Sequence, residues 1–353
     1  GAVVDGRVSD CSQVKARSVV RFDDLSHKVI DTLPVPDNHV GGLTSHDGFS
    51  MVSDEEWAAD LKARLLADYA DVIREDDAIL KPMSCPPVTI ELKPGAVPYV
   101  QRGPRNVPLA LEKPAIKELE KLLANGIISK VEKPTEWVHP LMVAPKPGGG
   151  ARICVDLTKL NQWVKRPFYP MRTPAQVMDR IPQDAKYFAT LDAVKGYFQL
   201  ELAEESRPLT TFITSIGRFW FNRLPMGMTS SQDVYDREGD EAIQGLERVD
   251  KVRDDIIVAS RDRKEHESDA RATLDRCRRH HITISKKKFV VGQTRVRFVG
   301  FEIGADGISA DPRKVVAIQE FPTPMSQKDL RSFLGLCNQL GGFTKEMAAA
   351  CGP

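Results

Sequence analysis

Three aspartates carry the chemistry this chain could do. Asp254 and Asp255 lie at the turn of an apolar strand-turn-strand pattern running from Val249 to Ser260, and Asp192 closes the strand-like run Tyr187-Phe188-Ala189-Thr190-Leu191-Asp192. Like charges at a hairpin tip repel, and a chain that needs only a turn there has an easier choice in Asn-Gly. A divalent cation removes the repulsion. A carboxylate at a strand end beside a carboxylate pair makes the oxygen-rich site that two Mg²⁺ ions, about 3.5–4 Å apart, require for in-line phosphoryl displacement. Nucleotidyl transfer is the chemistry suggested; the plain alternative for an Asp-Asp pair is a solvated turn.

Strands interleaved with helices must bring these residues together. Ser53 with Glu56 has the spacing of a capping box, and Trp57, Leu61, Leu65, Tyr69 and Ile73 recur every four residues on one helical face. Pro82, Pro86, Pro87, Pro94 and Pro98 then impose extended chain, with Val88-Thr89-Ile90 a short strand. A second helix is expected to start near Pro114, bury Ile116, Leu119, Leu122 and Leu123, and stop at Asn125-Gly126. Leu141–Ala144 and Arg152–Val155 flank a glycine-rich tip, which predicts a hairpin. Strands at Pro208–Thr214 and Arg218–Asn222, a helix across Ser230–Gly245, a basic helix from about Lys264 to His280, and strands at Lys288–Val291 and Val296–Ile303 follow. Asp311-Pro312 and Ser326 with Asp329 open two tail helices, the second burying Leu330, Phe333, Leu334 and Cys337. The pattern is α+β, an antiparallel sheet backed by helices.

At 353 residues, 41% hydrophobic and 28% charged, the chain can bury a core and form more than one subdomain. It has no apolar run long enough for a membrane span and no secretory signal pattern, so an intracellular protein without a membrane partner is expected. Six scattered cysteines lack C-x-x-C spacing and argue against a zinc site or a disulfide framework. The net charge of +1 conceals a division: residues 1–100 carry 10 Lys/Arg against 17 Asp/Glu, residues 101–166 carry 12 against 6, and residues 261–297 carry 12 against 5. Local positive surface of this kind suits nucleic acid, although runs such as Lys286-Lys287-Lys288 also read as solvated faces. The first 50 residues hold no sustained period and read as a linker. Gly1 in place of Met suggests a piece of a polyprotein.

Several blocks occur in a telling order: Trp137-Val138-His139-Pro140, Arg152 to Leu157 with Leu160-Asn161, Phe188 to Asp192, Leu224-Pro225-Met226-Gly227-Met228, the Asp254-Asp255 hairpin, Phe298-Val299-Gly300 and Leu330 to Leu336. In order and spacing the chain resembles the reverse transcriptase of gypsy-class long-terminal-repeat retrotransposons, over roughly residues 60 to 340. The resemblance implies a right-hand polymerase: lead-in at 1–52, an N-terminal helix and extended segment at 53–95, fingers at 96–185, palm at 186–303, and a truncated start of thumb or connection at 304–353. It implies RNA-directed and DNA-directed DNA synthesis on an RNA template or DNA primer/template, with deoxynucleoside triphosphates and two Mg²⁺ ions, or Mn²⁺ in their place.

Residue by residue, Asp192, Asp254 and Asp255 become the catalytic metal ligands, with the Ala193 carbonyl a further oxygen. Lys146 and Arg152 flank the glycine tip, where a hairpin could fold onto a triphosphate, and the family's matching positions contact the nucleotide phosphates. Tyr197 matches the aromatic that excludes a ribose 2′-hydroxyl. Met226 and Gly227 fall where the backbone approaches the templating base. Phe298, Val299 and Gly300 resemble the primer grip. Two departures stand out: Val252 replaces the family's usual tyrosine before the aspartate pair, and Arg253 places a cation beside it, which either competes with metal or adds a phosphate contact; reduced activity is expected. No acidic set after residue 320 suggests a ribonuclease H centre. The rival reading is a catalytically impaired or repurposed fragment that binds nucleic acid without polymerising; a replicative RNA polymerase palm is a further enzyme alternative.

Overall fold

The structure, a computed structural model, describes residues 52–146 and 149–340, so most of the expected lead-in, the middle of the glycine tip and the end of the tail lie outside the described residues. Its centre is a four-stranded antiparallel sheet in the order Val290–Gln293, Tyr187–Asp192, Asp255–Ser260, Val249–Val252. The two middle strands are buried on both faces. Ala189, Leu191, Ile256 and Val258 join the main core, while Phe188, Ile257 and Ala259 face a second cluster with Val177, Val296, Phe298 and Ile303. That is why their sequences read as nearly continuous apolar runs rather than as a clean alternation.

Helix Arg263–Arg279 covers the first face. Asp262 caps it by accepting from the Glu265 backbone at 2.9 Å, and His266, Ala270, Thr273, Leu274 and Cys277 form its buried stripe at helical spacing. Helix Ser231–Ile243 packs beside it. The opposite face is covered by a three-stranded meander, Arg295–Phe298, Phe301–Gly304 and Gly307–Ala310.

Helix Asp54–Asp68 lies against the edge strand, with the Ser53–Glu56 capping box formed as the spacing predicted. Gly292 permits the contact: its φ is +71°, and a Cβ there would meet Ala58 Cβ at 2.8 Å. The helix ends before the last residue of its expected apolar stripe, because Ile73 instead enters a short parallel strand opposite Ile284.

A second sheet has five strands in the order Ile128–Lys130, Gly217–Phe221, Phe212–Thr214, His139–Pro145, Ala151–Val155. The chain leaves it after Val155, builds the first central strand, and returns at Phe212 before completing the central sheet. Sheet membership therefore cuts across the contiguous segments 96–185 and 186–303.

Several local expectations are corrected. The second helix runs Leu109–Ala124 with Pro114 in its interior, and Leu123 is exposed while Ala115, Leu119 and Leu122 are buried. Val88 to Ile90 contributes a single bridge, Val88 to Leu202, rather than a strand. The tail helices are Pro312–Gln319 and Gln327–Leu340, but Leu330 and Leu334 face outward and only Cys337 is fully buried with Ile318. No described helix is long and apolar enough to cross a membrane.

Candidate active site

The central sheet brings the three aspartates to one end. Asp192 stands directly opposite Asp255 in the antiparallel register, and the Ala193 backbone N–H donates to the Asp254 carbonyl at 3.1 Å. Val252 pairs with Asp255, leaving Arg253 and Asp254 as a two-residue turn. Arg253 takes a left-handed φ of +55°, a conformation that costs a non-glycine residue about 1–2 kcal/mol. Its side chain is exposed and makes no ion pair with Asp254 or Asp255 among the described residues.

Electrostatics at this end are those of an anionic cluster only partly neutralised. Burial, then Asp192 and Asp255, push the Asp254 carboxyl up to about 6. Burial, then Asp192, push Asp255 up to about 6 as well, with Lys288 opposing. Asp254 Oδ1 is buried without a hydrogen-bond partner. Lys288 Nζ holds Asp192 Oδ2 at 2.8 Å, a cation that sequence reasoning passed over as part of a solvated run. Among the described residues no group of three or more His, Cys, Asp or Glu side chains closes into a metal cage. The donor set nonetheless fits divalent metal: polymerase-type Mg²⁺ sites use one or two carboxylates and take remaining oxygens from substrate phosphates and water. An orphaned carboxylate oxygen and two aspartates whose ionisation is opposed by burial and by neighbouring carboxylates are what such an ion would satisfy.

The other expected site residues fall into four groups. Tyr197 borders the aspartates: its phenol is pushed up to about 12 by burial and then by Asp254, and its ring meets Tyr235 edge-on at 5.6 Å. Gly227 and Met226 lie in a turn that Asn161 clamps, its Nδ2 donating to the Gly227 carbonyl at 2.8 Å and its Oδ1 accepting from the Thr229 backbone at 3.0 Å. Gly227 has φ +86°, so glycine is required there, while the Met226 side chain is about half exposed. Val299 and Gly300 form the turn between the first two meander strands, both with positive φ. Val299 lines a cavity of about 400 Å³ together with Arg253, Asp255, Lys251 and Asp236, which places that turn beside the aspartates. Phe298 is different: it is buried in the second core cluster, so it anchors the turn and does not present a surface.

Lys146 and Arg152 lie on the hairpin His139–Pro145 and Ala151–Val155 or at its end. Lys146 Nζ is paired with Glu118 Oε1 at 3.1 Å, whereas Arg152 is exposed with no ion pair among the described residues. The basic stretch 261–297 is less available than its charge suggested. Arg263 pairs with Asp54, Arg271 with Asp68, Arg278 with Asp71, and Glu267 on the same helix with Arg64. Three of its arginines are thus taken up by aspartates in or just after the N-terminal helix.

Residues 144–303 match the family model described as reverse transcriptase (RNA-dependent DNA polymerase). The chain belongs to the reverse transcriptase family. It is 33% identical over 246 residues to the retrovirus-related Pol polyprotein from transposon opus of Drosophila melanogaster, and 32% identical over 246 residues to that from transposon gypsy of the same organism, so within the family its likeness is to the gypsy class. Each match takes in 67% of this chain but only 24% and 23% of the relatives, so the chain spans about a quarter of their length. The foamy viral protease-reverse transcriptase in complex with double-stranded DNA superposes with a TM-score of 0.73 at 19% identity, covering 88% of this chain and 57% of that one. The same viral protein with an RNA/DNA hybrid gives 0.72 at 18%, covering 89% and 44%. The fold is thus the right-hand polymerase fold, α+β as the element pattern implied.

Proposed function

We propose that this chain is the polymerase segment of a retrotransposon, synthesising DNA on RNA and DNA templates from deoxynucleoside triphosphates. The observation that carries the reading is the register of the central sheet, which sets Asp192 opposite Asp255 with Asp254 at the adjoining turn. Asp192, Asp254 and Asp255, with the Ala193 carbonyl beside them, would hold two Mg²⁺ ions. When bound, such ions neutralise the triphosphate and favour ionisation of the primer 3′-hydroxyl.

The protein's own groups supply the rest. Arg152, with no ion pair among the described residues, offers a bidentate fork to the triphosphate, and Lys146 contributes a point charge once it leaves Glu118. Tyr197 walls the site on the sugar side and favours a substrate without a 2′-hydroxyl. The turn at Met226-Gly227, held by Asn161, presents backbone toward the templating base. The Val299-Gly300 turn, anchored by Phe298, bears on the primer end. The segment 304–353 is read as the start of a thumb or connection, and the setting is intracellular.

Extension of a labelled primer on an RNA template, with Mg²⁺ or Mn²⁺ and with Asp254→Asn as the control, tests this. Extension by the unaltered chain and none by the variant is expected. Strongly salt-dependent binding of primer–template without any extension would instead support a repurposed nucleic-acid-binding fragment.

A further inference from the structure

Tyr197 is held by a polar chain that reaches back into the palm. Its phenol donates a hydrogen bond to Gln232 Oε1. The same amide donates from Nε2 to Asp236 Oδ2 at 2.6 Å, and Lys251 Nζ donates to Asp236 Oδ1 at 2.9 Å. Chemistry sets the direction of this chain. A carboxylate facing an ammonium only accepts, so the amide must turn its NH₂ to Asp236 and its oxygen to Tyr197. The Lys251 and Asp236 side chains are each only 4% exposed, and in such dry surroundings a misdirected amide dipole would be costly. The edge-on contact with Tyr235, at an interplanar angle of 74°, is the second constraint on the ring.

Telling a ribose from a deoxyribose rests on a single hydroxyl, so the wall that judges it must not move. A tyrosine tethered only at its Cβ can occupy several rotamers; one also tethered at its hydroxyl cannot exchange them without breaking a bond. We propose that Gln232 is a positioning residue for sugar selection. It sits at the start of helix Ser231–Ile243, one turn before Asp236, so the anchor is built on a rigid i,i+4 pair and is tied through Lys251 to the strand that leads into the aspartate turn. It need not touch substrate. The inference rests on the assignment of Tyr197 to the nucleotide sugar.

The test compares the full chain with Gln232→Ala, Tyr197→Phe and the double variant in primer extension opposite template adenine, using dTTP and UTP. Each single variant should lower the preference for dTTP about tenfold, the worth of one hydrogen bond, mainly through a fall in KM for UTP. The double variant should be no worse than either single one, because both remove the same bond. An unchanged preference in Gln232→Ala, or additive losses in the double variant, would overturn the proposal. A second readout is independent of turnover. In protein labelled with ring-¹³C tyrosine, the Tyr197 signals, assigned by their loss in Tyr197→Val, should shift in Gln232→Ala. If they stay in place the proposal is wrong, even should the chain extend no primer, a result that would remove the polymerase reading by itself.

Discussion

A Cβ placed on Gly196 would lie 2.6 Å from Asp254 Oδ1 and 2.7 Å from Tyr235 Cζ. Gly196 begins the short 3-10 helix that carries Tyr197, so the absence of a side chain there is what lets the turn after Asp192 close against the aspartate hairpin. Tyr235 is fully buried and cannot swing aside without disturbing the core. Gly196→Ala should therefore displace the Asp254 carboxylate. Extension activity should fall at least about 100-fold, with an overpacking cost of about 1–3 kcal/mol in denaturant unfolding. A variant with near-normal activity would show that Asp254 tolerates movement.

Metal dependence of stability should follow pH in a set direction. Asp254 and Asp255 sit at about 6 in the folded, metal-free protein, above their ordinary 3.8. Between those values the native state binds protons that the unfolded chain releases, so these groups make stability fall as pH rises from about 4 to about 6. Divalent metal should reverse the loss. The thermal shift produced by Mg²⁺ is expected to be larger at pH 7.5 than at pH 5 and absent in the Asp254→Asn, Asp255→Asn double variant. In metal-free buffer at pH 7.5, Asp254→Asn alone should melt about 1–3 °C higher than the unaltered chain while losing activity.

Arg253 tests whether the unusual cation impairs the site or merely strains the turn. With its side chain outward and its φ at +55°, Arg253→Gly should relieve backbone strain and raise stability by up to about 1 kcal/mol, offset in part by the freer unfolded chain. Extension rate and Mg²⁺ requirement should change less than about threefold, the scale of a screened surface charge. A gain of tenfold or more would instead show that the arginine competes with metal.

Arg152 and Lys146 should separate in kinetics. Arg152 has no ion-pair partner among the described residues to give up, so Arg152→Ala is expected to raise KM for the deoxynucleoside triphosphate about tenfold, the loss of one charge-assisted contact. Lys146 trades its Glu118 pair for any phosphate contact, so Lys146→Ala should cost only about two- to threefold, and Glu118→Gln should lower KM slightly. Equal effects at both positions would mean that the Glu118 pair is not formed in solution.

Much of the site was legible along the chain because its parts are local. An aspartate pair in an apolar hairpin, a carboxylate at a strand end and a glycine-rich tip each announce themselves within a dozen residues, and so does the capping box at Ser53. Their fixed order carried the family. What neighbouring residues could not reveal was anything that depends on partners distant in sequence. The charge of the basic helix suits nucleic acid, but only the fold sets Asp54, Asp68 and Asp71 against it, and only packing buries Phe298 in one cluster with Val252 and Ile257. Lys288 looked like solvent-facing charge, yet strand pairing brings it onto Asp192 across 96 residues. The period of a strand or helix specifies which face a side chain takes; only the sheet's register and the packing between elements decide which charge it meets there.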